Sequence, residues 1–181
     1  MSAHPRLPQR GFTLIELLVV MTILAILMGM AIPSYNSLMI STTASQYASS
    51  MAESALLARA EAIRRNATVS VCVSADGANC GSGGWEQGWL VSCLTNDSVT
   101  CDPSGTRTLV IRYQDAARSG WKISEASGLA KLNFDPSGTG ATAASMTVCR
   151  ATPTVGTQQR TVRISATGRP TILKTTGTAC N

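Results

Sequence analysis

The chain has 181 residues, 44% of them hydrophobic and 4% aromatic, with a formal charge of +5 at pH 7. About 150 residues follow the apolar N-terminal run, enough for one small core and no second domain. Its single histidine, His4, lies near the start, which leaves no Ser-His-Asp or Cys-His arrangement in the body of the chain.

Residues 1–10 carry Arg6 and Arg10 and no acid; from Phe12 to Ile32 the only ionisable side chain is Glu16. At 1.5 Å per residue such a run makes a helix of roughly 31 Å, which predicts a membrane span with the chain start on the cytoplasmic side. A carboxylate left alone near the start of that span costs on the order of several kcal/mol, so Glu16 is either functional or close enough to the interface to reach headgroups and water. A secretory cleavage site would follow the apolar run, and Met28-Gly29-Met30-Ala31 is a poor one. Here the small residue, Gly11, comes first.

The stretch Gly11-Phe12-Thr13-Leu14-Ile15-Glu16 resembles the type IV prepilin signal. The resemblance implies that a prepilin peptidase cuts between Gly11 and Phe12 and that Phe12 is then N-methylated. It also implies that Glu16, fifth in the mature chain, attracts the terminal amine of a neighbouring subunit during assembly, an opposite charge that would offset its burial. Loss of Arg6 and Arg10 with the leader would leave 13 basic and 10 acidic residues, or +3.

Pro33 predicts a bend in the helix, the rival being an end at Ile32 and a new start at Pro33-Ser34. Between Ser34 and Arg65 there is no Gly or Pro, and Leu38, Met51, Ala55, Leu56, Ala58, Ala62 and Ile63 recur at three- and four-residue steps, so the helix is expected to continue. Ser41, Gln46, Ser50, Glu53 and Arg64 mark its polar side. Beyond Asn66 come short β-branched runs separated by Gly, Asp, Asn, Pro and Ser. These predict strands at Thr68–Val73, Gly88–Cys93, Thr106–Tyr113, Trp121–Ser124, Lys131–Phe134, Met146–Arg150 and Arg160–Ala166, with a short last one near Thr171–Lys174. A long helix followed by antiparallel strands is an α+β order with no βαβ alternation. The expected organisation is a leader at 1–11, a transmembrane half-helix at 12–32, a periplasmic half-helix at 33–66 and an antiparallel β head at 67–181.

Cys72, Cys80, Cys93, Cys101, Cys149 and Cys180 all follow the apolar run, and an even count outside the cytoplasm reads as disulfides. Local spacing favours Cys72 with Cys80 and Cys93 with Cys101, leaving Cys149 for Cys180. Without a Cys-x-x-Cys pair or a second histidine, no zinc, other metal or cofactor is expected. Trp85 and Trp89 flank Gly88 at the entry to a strand and are expected to be core anchors, with ligand stacking as the rival. Gly81-Ser82-Gly83-Gly84 lacks a following Lys or helix and reads as a loop, and Asp97 and Asp102 as turn residues. No catalytic residue is expected.

Cys72-Val73-Ser74-Ala75-Asp76-Gly77, Trp85-Glu86-Gln87-Gly88-Trp89-Leu90-Val91, Phe134-Asp135-Pro136-Ser137-Gly138 and Ile164-Ser165-Ala166-Thr167-Gly168-Arg169 resemble the minor pilins and pseudopilins of the GspH/FimT/FimU family. The resemblance implies a pilin-like fold and a non-enzymatic subunit near the tip of a type IV pilus or type II secretion pseudopilus that helps to start assembly. Its partners would be other minor and major pilins or pseudopilins, the prepilin peptidase and the inner membrane. After Asp135 there is no acidic residue, whereas Arg150, Arg160, Arg163, Arg169 and Lys174 all fall there. The alternative implied by FimT-like members is DNA uptake through a Gly-Arg-x-Arg motif. This chain has Gly168-Arg169-Pro170-Thr171, with Arg160, Arg163 and Lys174 as further phosphate contacts.

Overall fold

The computed structural model describes residues 12–93, 109–151, 158–175 and 180, apart from the side chains of 30–34. Helix α1 (Leu14–Arg65) is followed by β1 (Val69–Val73), a 3-10 turn (Trp85–Gln87), β2 (Trp89–Cys93), β3 (Leu109–Gln114), β4 (Trp121–Glu125), β5 (Lys131–Phe134), β6 (Ala144–Arg150), β7 (Gln159–Ile164) and β8 (Pro170–Thr175). All eight expected strands form, with residues 106–108 of the third lying outside the described ones. The helix does not stop at Pro33. The chain divides into two units, residues 1–36 and 37–181.

In the first unit the helix is apolar on every side. Leu14, Ile15, Leu17, Leu18, Val19, Val20, Met21, Ile23, Leu24, Ile26, Leu27 and Met28 are all exposed. Consecutive positions are 100° apart, so such a run leaves no polar stripe to face water. Among the described residues no helix is long and apolar enough to cross a membrane. The expected span at 12–32 includes residues 30–32, whose side chains lie outside the described ones.

The second unit holds the rest of α1 and two four-stranded antiparallel sheets, ordered β3-β2-β1-β5 and β4-β6-β7-β8. Ala48, Met51, Ala55, Ala58 and Ala62 of α1 are buried with Val69, Val71, Val73 and Val91 of the first sheet and Ile123, Met146, Val148, Val162 and Ile164 of the second. The alanines repeat at three- and four-residue steps, and their small side chains let the helix backbone come close to the strands. Leu38, Leu56 and Ile63, expected on the same face, are instead exposed, because they lie outside that narrow stripe.

The helix ends at Asn66, whose φ is 51°. Its N–H donates to the Ile63 carbonyl at 3.3 Å and that of Ala67 to the Ala62 carbonyl at 3.2 Å, the paired bonds of a Schellman cap. Glu61 receives Arg64 and Arg65 at 2.6 Å each in the last turn. The hydrogen bond from Arg64 is the largest influence holding the Glu61 carboxyl below its usual range.

Both tryptophans anchor the core as expected, with 2% and 1% of their surfaces exposed. Trp85 Nε1 donates to the Leu129 carbonyl at 2.9 Å and Trp89 Nε1 to Ser54 Oγ at 3.0 Å. Between them Gly88, at φ 109°, passes so close to its neighbours that a Cβ would lie 2.8 Å from the Gln114 carbonyl oxygen. That close approach is what the Gly is for.

Candidate functional site

The N-terminal end of α1 is built from its first few residues. Thr13 is the N-cap: its Oγ1 accepts the Glu16 N–H at 3.3 Å, and its carbonyl accepts the Leu17 N–H at 3.3 Å. Thr13-x-x-Glu16 has the spacing of a capping box, and a carboxylate in the first turn also suits the positive end of the helix dipole. Sequence reasoning missed this cap although the Thr-x-x-Glu signal was present. Phe12 is exposed at the very start of the described chain, and Gly11 lies outside the described residues. A carboxylate therefore sits one turn into an uncovered apolar helix, four positions from Phe12.

In the second unit the cysteines staple loops onto the sheets. Cys72 of β1 is bonded to Cys80, which folds the intervening loop back toward that strand. Within the loop, Asp76 accepts hydrogen bonds from the side chain and N–H of Asn79, the N–H of Ala78 and the hydroxyl of Ser74. The Asn79 side chain is the largest cause holding the Asp76 carboxyl well below the usual carboxylate range. Cys149 of β6 is bonded to Cys180, so the tail is pinned to the second sheet. Cys93 is also in a disulfide, and Cys101 lies outside the described residues, as do Asp97 and Asp102.

Two turns that carry family-like sequence meet the helix. Arg59 Nε donates to the Gly138 carbonyl at 2.9 Å, which fixes the Asp135-Pro136-Ser137-Gly138 turn. Ile164 to Arg169 forms the hairpin between β7 and β8, in which the Gly168 N–H reaches the Ser165 carbonyl at 2.8 Å and the Arg169 N–H reaches Ser165 Oγ at 3.1 Å. A Cβ on Gly168, at φ 73°, would lie 3.2 Å from Arg59.

The basic residues of the last third do not form one surface. Arg160 is 9% exposed, and its guanidinium donates to Ser41 Oγ at 2.9 Å, Ser45 Oγ at 3.0 Å and the Gln159 carbonyl at 3.0 Å. It ties β7 to α1 and is withdrawn from solvent, which corrects its expected place among phosphate contacts. Arg160 lies opposite Lys174 in the β7–β8 register and Arg163 opposite Thr171, so Arg163 points to the other face of the sheet from Arg160 and Lys174. Arg163 and Arg169 both line one groove on that other face. No group of three His, Cys, Asp or Glu side chains that could hold a metal occurs among the described residues.

Comparison with known proteins bears on this arrangement. Residues 47–168 match the family of the type II transport protein GspH, and residues 6–32 match the prokaryotic N-terminal methylation motif. The pilin-like protein PilA1 of Thermus thermophilus is 47% identical over 72 residues, which cover 39% of this chain and 44% of that protein. The type IV minor pilin FimU of Pseudomonas aeruginosa superposes with a TM-score of 0.55 at 19% identity, over 81% of this chain and 98% of FimU. The minor pseudopilin EpsH of the Vibrio cholerae type II secretion system does so with a TM-score of 0.51 at 14% identity, over 76% of this chain and 99% of EpsH. At these identities the two structures speak for the shared pilin-like fold. None of the matches carries the DNA-binding reading. The GspH match spans most of the chain, and the chain belongs to that family: it is a minor pilin or pseudopilin.

Proposed function

We propose that this chain is made as a prepilin whose leader, residues 1–11, is removed between Gly11 and Phe12, with Phe12 then methylated. Residues 12–32 lie in the inner membrane and later in the filament core, and 33–66 continue the helix into the periplasm, where it packs against the head at 67–181. The observation that carries this reading is the uncovered apolar helix with Glu16 one turn from its start. Such a helix needs either lipid or other helices around it. The carboxylate needs a cation in those surroundings, and the new amine of a neighbouring Phe12 would supply one. The head acts as a non-enzymatic contact module near the filament tip, where it helps to start assembly.

The test separates processing from assembly. Glu16→Ala should be cleaved at the wild-type rate, because Gly11 and Phe12 are intact, yet appear in sheared filaments at least tenfold less than wild type. Cleavage would be followed by the mass of the mature chain and assembly by immunoblotting. Normal incorporation of Glu16→Ala would remove Glu16 from the assembly step.

A further inference from the structure

The β4-β6-β7-β8 sheet carries an open groove of about 600 Å³ toward the Ser145 end of β6, away from the Cys149–Cys180 disulfide. Ser145, Arg163 and Thr171 stand side by side across three strands, with Leu173 beside them and Arg169 entering from the β7–β8 hairpin. Arg163 and Arg169 are exposed, and neither guanidinium makes a hydrogen bond or ion pair among the described residues. Glu125 also lines the groove. Its carboxylate is held in place by the N–H groups of Ser127 at 2.7 Å, Leu129 at 3.0 Å and Ser145 at 3.3 Å.

Two guanidinium groups and one carboxylate give the groove a formal charge of 2 − 1 = +1. That balance suits one acidic group and disfavours a polyanion, because a row of phosphates along the groove would bring a second negative charge against Glu125. The hydroxyls of Ser145 and Thr171 offer hydrogen bonds to a peptide backbone, and Leu173 offers apolar surface. Arginine also grips a carboxylate with two parallel N–H bonds, which fixes its orientation.

We propose that this groove docks an extended segment of a neighbouring pilin-type subunit through a single carboxylate held by Arg163 and Arg169. The docking rests on the filament reading given above. It makes the second sheet of the head a contact surface whose specificity comes from charge.

In cells that assemble filaments, Thr171 would be replaced by photo-reactive benzoyl-phenylalanine in the full-length chain and the adduct mapped by mass spectrometry. The expected adduct is a segment of another pilin with an Asp or Glu within about three residues of the linked position. Its yield should fall at least tenfold with R163E and R169E together, and return when the acid on the partner is changed to Lys. An adduct indifferent to charge reversal would overturn the proposal. So would one on nucleic acid, on this chain itself or on a segment without an acid, or no adduct although the chain enters filaments. Both arginines are exposed, so the double variant should keep its fold, which intact disulfides and an unchanged circular dichroism spectrum would verify. If the wild-type chain were absent from sheared filaments, the filament reading itself would fall and the docking with it.

Discussion

Ser54 is a polar residue on the buried side of α1, and its hydroxyl accepts the Trp89 indole N–H while itself donating to the Ser50 carbonyl at 2.8 Å. Ser54→Ala would leave that N–H without an acceptor in a site closed to water, so it should lower stability by about 1–3 kcal/mol. Trp89→Phe removes both the N–H and packed volume; combined with Ser54→Ala it should cost less than the sum of the two, because the second change no longer strands a donor. Urea unfolding of the unit from Ser37 onward, with disulfides intact, would measure all three. Asp76 offers a titration on the same scale. Its carboxyl is more acidic folded than unfolded, so its contribution is fully present above the unfolded value of about 3.9 and is lost as pH falls from there through the folded value. Protection of the Ala78 and Asn79 amides, measured against the unstructured exchange rate at each pH, should therefore hold down to about pH 4 and fall below it, while Asp76→Asn should lower protection at pH 7. Equal exchange in the two proteins at pH 7 would show that the loop is held by its disulfide alone.

At the scale of elements, the cap at Asn66 decides where the long helix stops. Asparagine tolerates the left-handed conformation and a β-branched residue does not, so Asn66→Val should cost about 1–2 kcal/mol, whereas Asn66→Gly should be close to neutral. Thermal unfolding would separate them, and equal midpoints would mean that the helix end is set by packing beyond the cap. The strands were legible because each is a β-branched run between turn residues, and the tryptophans because an indole at a loop-to-strand corner has few other uses. The buried stripe of α1 was legible only in part. Its alanines repeat at helical spacing, but Leu56 and Ile63 are as apolar as any core residue and face outward, since apolar character alone does not assign a face. The basic segment misled for a similar reason. Arg160 and Arg163 are neighbours in sequence, but their separation of three residues along a strand puts them on opposite faces, one hydrogen-bonded to α1 and one on the groove.

Taken as a molecule, the chain pairs a helix that cannot be left uncovered with a head stapled shut by disulfides. The two described staples close loops of different length: Cys72 and Cys80 are 8 residues apart and Cys149 and Cys180 are 31. Loop-closure entropy makes the longer one worth about 3–4 kcal/mol and the shorter about 2–3 kcal/mol, so the tail staple should matter more to global stability. The shorter one acts locally, holding the Asp76 loop against β1. Replacing Cys149 and Cys180 together by Ser should therefore lower the urea midpoint of the head more than the same change at Cys72 and Cys80, with the fold retained in both. Cys149, to which the tail is bonded, also lies on the sheet that carries Arg163. If that sheet is a contact surface, releasing the tail should reduce incorporation into filaments beyond what the loss of stability explains. A core variant chosen to have the same urea midpoint supplies the comparison. Equal incorporation by the two variants would assign the tail staple to stability alone, and a larger loss without Cys149–Cys180 would assign it to the docking face as well.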